Sequence, residues 1–241
     1  MSTENRVAIV TGASSGIGLA LTKALLAKNF NIVGTSRSAT KSAELKPSDN
    51  LVLIDGDAGH KSTAAKVTST TIDRFGRIDL LVNNAGIFIS KPFTEYTEED
   101  FATMISTNVA SFFHMTQQVV PHMVRQKEGH VVSISTTLTD QPLAGVPAAL
   151  PVITKSALRG VAKELAIEYA SSNIRFNIVS PGIVDTPMHE NSDHEALKSL
   201  SPLHRLATTD EIIDAILYLD SAKFISGENL RVDGGAHAGR W

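Results

Sequence analysis

A glycine-rich run, Thr11-Gly-Ala-Ser-Ser-Gly-Ile-Gly18, follows the apolar stretch Val7-Ala-Ile-Val10 and leads into an amphipathic segment at 17–28. This is the strand–turn–helix setting in which main-chain amides at a helix N-terminus grip a diphosphate. Gly12 permits the tight turn, Gly16 lets backbone approach the phosphates, and Gly18 lets the helix pack closely. Ser14, Ser15 and Ile17 complete the candidate loop. A site for NAD carries an Asp or Glu about 20 residues on, accepting from the ribose 2′-hydroxyl. Here the next apolar run ends Gly34-Thr-Ser-Arg37, without an acid. Ser36 and Arg37 suit a 2′-phosphate through charge-assisted hydrogen bonds. NADP(H) is therefore favoured over NAD(H).

The elements that must hold this loop are legible as an alternation. Apolar runs at 31–35, 51–54, 80–83, 130–135, 174–179 and 229–232 read as strands. Segments 61–75, 101–125, 155–170 and 210–219 read as helices, with a kink expected at Pro121. Strands that are apolar throughout suit a parallel sheet covered on both faces. The expected architecture is an α/β single-domain Rossmann fold spanning 1–241, a doubly wound parallel sheet with helices on both faces. Residues 186–202 interrupt the alternation and read as a variable substrate loop.

Composition narrows the partners. A net charge of −3 gives no basic surface for nucleic acid, and the absence of cysteine removes disulfides and cysteine-bound metals. No run of eighteen apolar residues offers a membrane span, and the polar start, Met1 to Arg6, is unlike a signal peptide. A cytoplasmic protein is the expectation. The eight histidines show no metal-ligand spacing, so no metal is expected. His189, His194 and His204 lie in or near the variable loop, where they read as solvated, with one of them able to approach substrate.

Four motifs, in this order, resemble the short-chain dehydrogenase/reductase family over essentially the whole chain. They are the glycine run, Asn83-Asn-Ala-Gly86, Pro181-Gly-Ile-Val-Asp-Thr186 and Val232-Asp-Gly-Gly235. The resemblance implies an oxidoreductase that moves hydride between a nicotinamide and a small carbonyl or alcohol. It implies, by position, that Asp57 meets the adenine amino group and that Asn84, Ala85 and Gly86 line the adenine ribose. Pro181 and Gly182 would cover the nicotinamide, and Ile183 and Thr186 would hold its carboxamide. Asn108 would bend its helix and hold a water near the catalytic lysine. Thr136 would stand for the family's serine and hydrogen-bond the substrate oxygen, and Lys155 would bind the ribose. A homodimer or homotetramer is implied too, packed through the two long helices, with Phe112, Phe113, Leu158, Leu165 and Tyr169 as candidate apolar surface.

One position departs from the pattern. The family places its proton-exchanging tyrosine four residues before the lysine, and Pro151 stands there. The tyrosines of this chain are Tyr96, Tyr169 and Tyr218, and none matches. Tyr169 lies about 20 Å beyond Lys155 along a helix. From Thr136 to Pro151 is fifteen residues, slightly more than the family usually has, which leaves the register of 137–150 open. Two explanations stand. Another acid, Asp140 or a water held by Lys155 and Asn108, replaces the tyrosine. Alternatively, hydride chemistry is lost and the chain is a cofactor-binding protein, a sensor or an oligomer partner.

Overall fold

Seven strands, β1 (Val7–Thr11), β2 (Asn31–Ser36), β3 (Leu51–Asp55), β4 (Leu80–Asn83), β5 (Gly129–Ile134), β6 (Ile174–Pro181) and β7 (Asn229–Val232), form one sheet in the order β3-β2-β1-β4-β5-β6-β7. Every pairing is parallel. The structure, a computed structural model, describes residues 6–239. The reading of residues 1–5 as a polar start falls outside them, as do residues 240–241.

The strands carry apolar residues on both sides because both sheet faces are covered. Successive residues point to opposite faces. Ala8, Val10, Leu80, Val82 and Val132 pack with Leu21 and Leu25 of α1 (Gly16–Ala27) and with Ile212, Ile216 and Leu219 of α7 (Thr209–Ser221). Ile9, Val33, Leu81, Val131 and Phe176 face the other way. They pack against Val67 of α2 (Lys61–Phe75), Met115 and Val119 of α4 (Ser111–Gln126), and Leu158 and Ala162 of α5 (Ala149–Glu168). The sheet is thus doubly wound, as the apolar strand pattern predicts.

Four local expectations are corrected. α5 starts at Ala149, six residues before the predicted start, and carries Pro151 as its third residue. A proline needs no partner for an N–H in a first helical turn, so its ring does not break the helix there. The long helix before β5 departs from regular geometry at a π-turn, Ile105–Ala110, between α3 (Glu98–Met104) and α4, and α4 continues through Pro121. The variable loop is partly regular: a 3-10 turn at Pro187–His189 and α6 (His194–Ser199), whose N-cap Asp193 accepts from the amides of Glu195 and Ala196. Finally, Phe112 and Leu158 are buried in the core, and Leu165 and Tyr169 pack against it. Of the proposed contact residues, Phe113 is the one that is mostly exposed.

The edge of the sheet opposite the glycine loop carries a buried polar cluster. His130, at the start of β5, is almost fully enclosed. Its Nε2 accepts from Asn177 at 3.0 Å, which leaves its Nδ1–H directed at Asp220, 3.4 Å away. Arg6 grips the same carboxylate at 2.5 and 2.9 Å.

Candidate active site

The chain runs from β1 outward through β2 to β3, then returns to β4 on the other side of β1. Loops from β1 and β4 therefore diverge at the carboxyl edge and open a crevice, the usual ligand position in such sheets. Thr11, the last residue of β1, ties the two loops together. Its Oγ1 accepts from the amides of Asn84 (3.0 Å) and Ala85 (2.9 Å), while Asn84 Nδ2 donates to the Thr11 carbonyl (2.9 Å). Gly12 has a φ of +69°, and a Cβ on Gly18 would sit 2.2 Å from the Gly12 carbonyl oxygen. Larger residues at these two positions would displace the helix start from the turn.

A cavity of about 340 Å³ opens at this crevice. Gly12, Ser15, Gly16 and Ile17 border it from the first loop, and Asn84, Ala85 and Gly86 from the second. Pro181, Gly182, Ile183 and Thr186 border it after β6, and Thr136 and Lys155 complete the set of predicted residues brought together. Ser14, Gly18, Ser36, Arg37, Asp57 and Asn108 do not border it. Ser36 and the exposed Arg37 lie at the carboxyl end of β2. Asp57 follows β3, where its Oδ1 accepts from the Gly59 amide at 2.8 Å. These residues and Ser14 sit on the β1–β3 half of the edge, and Gly18 is buried under the turn.

Lys155 reaches the cavity from α5, one turn beyond Pro151. Its ammonium donates to the Ile134 carbonyl at 2.8 Å, which leaves two N–H groups uncommitted. It lies against Gly86, whose added Cβ would be 2.9 Å from Nζ. The side chain borders the cavity, yet its ammonium is enclosed by protein, and burial alone pushes its pKa down to about 8. Thr136 Oγ1 accepts from the Leu138 amide at 3.3 Å and keeps its own proton for another acceptor. Ser135, beside it, donates to the Lys155 carbonyl at 3.2 Å.

Asn108, in the π-turn, is buried and fully engaged. Its Oδ1 accepts from the Ile87 amide (2.8 Å), and its Nδ2 donates to the Ile87 carbonyl (3.1 Å) and to Thr154 Oγ1 (3.1 Å). In this arrangement Asn108 clamps the loop after β4 to α5. A π-turn often marks a functional site, because the extra residue frees backbone groups and re-aims a side chain.

Asp140 is turned away from the cavity. It pairs with Arg159 of α5 at 2.7 Å and with Arg231 of β7 at 3.2 and 3.3 Å. Burial opposes its charge, but the hydrogen bonds from Arg231 and Arg159 outweigh it and hold the carboxyl below its ordinary range. A carboxylate held by two guanidinium groups is a poor proton donor, so Asp140 is not the replacement acid. Pro151 borders the cavity, and Tyr96, Tyr169 and Tyr218 do not. Tyr96 donates to the Ile89 carbonyl at 2.9 Å.

Sequence reasoning missed Thr11, Ile87 and Thr154, which orient predicted residues. Thr11 opens the glycine run and Thr154 immediately precedes Lys155, and that adjacency is the available signal. It also left open which histidine meets the cavity. His189 does, through the turn at Pro187–His189. Burial, with neighbouring His194 adding to it, pushes its pKa below the usual imidazole value. Among the described residues, no group of three or more His, Asp or Glu gathers as a metal site, and no helix is long and apolar enough to cross a membrane.

The geometry fits a dinucleotide: amides at a helix start, a narrow glycine approach, and an ammonium with two uncommitted N–H groups. The family described as Enoyl-(Acyl carrier protein) reductase matches residues 12–237. The 3-oxoacyl-[acyl-carrier-protein] reductase FabG of Thermotoga maritima is 33% identical over 249 residues, covering 98% of this chain and 99% of that protein. The 3-ketoacyl-(acyl-carrier-protein) reductase from Brucella melitensis, complexed with NADH, superposes with a TM-score of 0.91 at 27% identity, covering 98% of this chain and 100% of that one. ElxO is similar both with NADP bound (TM-score 0.88, 28% identity) and as a tyrosine-to-phenylalanine variant with NADPH bound (0.87, 29%), each covering 98% of this chain and all of that one. Fold and site thus define an oxidoreductase scaffold built around a nicotinamide dinucleotide. The chain belongs to the short-chain dehydrogenase/reductase family.

Proposed function

We propose that this protein binds NADP(H) in preference to NAD(H) and transfers hydride between the nicotinamide and a small carbonyl or alcohol. The observation that carries this reading is the convergence of the Lys155 ammonium and the Thr136 hydroxyl on the cavity that the glycine loop also borders. The bound nicotinamide would supply or accept the hydride. The loop amides would hold its phosphates, Arg37 and Ser36 the 2′-phosphate, and Asp57, Asn84, Ala85 and Gly86 the adenosine half. Pro181, Gly182, Ile183 and Thr186 would seat the nicotinamide. Lys155 would grip the ribose, and Thr136 would donate to the substrate oxygen. Asn108 would act at one remove, by fixing Ile87 and Thr154. A cytoplasmic homodimer or homotetramer is part of the same proposal, with Phe113 on α4 and the half-exposed Phe101 and Ile153 on α3 and α5 as apolar contacts.

A second reading, a cofactor-binding protein without turnover, is favoured by one observation: Pro151 borders the cavity and no tyrosine does. The ElxO variant with NADPH bound gives a relative that keeps its cofactor after losing one phenol. Following NADPH absorbance across a panel of aldehydes and ketones separates the two. Consumption that depends on Lys155 supports the first reading, and NADPH binding without consumption supports the second.

A further inference from the structure

Past the cofactor loops, the cavity is bounded by two segments. One runs from the 3-10 turn Thr137–Thr139 to α5 and contributes Leu143 and Val146; the other is the 186–202 loop, which contributes Met188, Leu197 and Leu200. Phe88 closes the wall from the loop after β4. The ionisable side chains that border the cavity are Lys155, His189 and Asp233. Asp233 is committed: its carboxylate accepts from the amides of Gly235 (3.1 Å) and His237 (2.9 Å) and lies 2.9 Å from the His237 ring. His189 is held towards its neutral form by burial. Lys155 is assigned to the ribose. Among the described residues, no charge in the wall is therefore free to meet a carboxylate or phosphate of a substrate.

The Leu143–Val146 turn is fixed at both ends. At one end Asp140 joins α5 to β7 through Arg159 and Arg231, and Arg159 also donates to Thr139 Oγ1 at 2.7 Å. At the other end Ser90 donates to the Pro147 carbonyl at 2.8 Å. Between them the Val146 amide bonds to the Leu143 carbonyl at 3.2 Å. With Pro142 and Pro147 in the segment, few backbone hydrogen bonds are available to hold it, so the side-chain clamps set where the apolar wall stands.

We propose that the cavity takes an uncharged ketone or secondary alcohol with an apolar body, and that Asp140 is a positioning residue that holds the wall selecting it. This rests on the reading of the site as one for NADP(H)-dependent hydride transfer. An apolar wall rewards each methylene buried against it by about fourfold in affinity, whereas a charged group desolvated there has no partner.

The test uses the full chain saturated with NADP+, which cannot reduce a ketone, so binding is read without turnover. Calorimetric titrations with 2-butanone, 2-octanone, pyruvate and acetoacetyl-CoA compare the classes. We expect 2-octanone to bind at least about tenfold more tightly than 2-butanone, and pyruvate and acetoacetyl-CoA to bind more weakly than 2-octanone. Asp140→Asn should weaken 2-octanone about fivefold or more with NADP+ affinity unchanged, and Asp140→Glu should restore most of it. Should Asp140→Asn fail to fold, Val146→Ser, which alters the wall alone, should weaken 2-octanone and leave pyruvate unaffected. Pyruvate or acetoacetyl-CoA binding as tightly as 2-octanone would overturn the substrate class. Unchanged 2-octanone affinity in a folded Asp140→Asn protein would overturn the positioning role. Failure of NADP+ itself to bind would overturn the parent reading, and is distinguished by the cofactor titration that precedes the others.

Discussion

Pro151 stands one helical turn ahead of Lys155 on α5, and both border the same cavity. The lysine is therefore presented from the helix face that also presents a side chain with no proton to give. Thr136 and Lys155 retain hydrogen-bonding capacity towards the cavity, and that capacity is what the proposed chemistry has to work with.

The first prediction concerns that proline. General acid–base help is worth about 10²–10⁴-fold, so the wild-type protein should reduce generic ketones slowly. Pro151→Tyr should raise the rate of NADPH consumption by at least about tenfold. The backbone already runs helically through this position, so a tyrosine needs no new conformation. Steady-state rates with one ketone, compared at saturating NADPH, check this; an unchanged rate in a folded variant contradicts it.

Lys155 gives a pH signature. Its folded-state pKa is about 8, below the ordinary 10.5. If the ammonium holds the ribose, NADPH affinity should fall as pH rises through about 8, because the binding form loses its proton. Lys155→Met should bind NADPH more weakly and lose that dependence. Stability should move the other way: between about 8 and 10.5 the unfolded chain holds a proton that the folded chain does not, so the apo protein gains stability as pH rises through that window. Affinity titrations and thermal melts at pH 7, 8, 9 and 10 read the two effects separately.

His130 predicts acid lability. Burial pushes its pKa from 6.5 to about 4, against the opposing pull of Asp220. The neutral ring accepts from Asn177, and a protonated ring would direct N–H at an amide nitrogen. Between pH 6.5 and 4 the unfolded chain binds the proton first, so stability falls as pH falls, by up to roughly 3 kcal/mol across the window. Denaturant unfolding from pH 7 to 4 should show this slope, and His130→Gln should flatten it.

Much of this molecule was legible because one signal dominated. Strands buried on both faces read as uninterrupted apolar runs, and the glycine loop fixes where the crevice must open. The start of α5 was not legible, because Pro142, Pro147 and Pro151 mark the segment as broken while the third of them sits where a helix tolerates it. Asp140 was misread for a related reason: its partners, Arg159 and Arg231, are distant in sequence, and nothing local shows that it is held as a carboxylate. Asn108 reads from the sequence as a residue that bends its helix, but its engagement with Ile87 and Thr154 depends on the π-turn, which has no sequence signature comparable to a cap.

The central claim is a site built for NADP(H), and calorimetric titration of the wild-type protein with NADPH and with NADH tests it most directly. If Arg37 and Ser36 at the end of β2 hold the 2′-phosphate as proposed, NADPH should bind at least about tenfold tighter, a difference of about 1.4 kcal/mol, and Arg37→Ala should remove most of that margin while leaving NADH unchanged. Equal affinities for the two nucleotides, or no binding of either, would contradict the account.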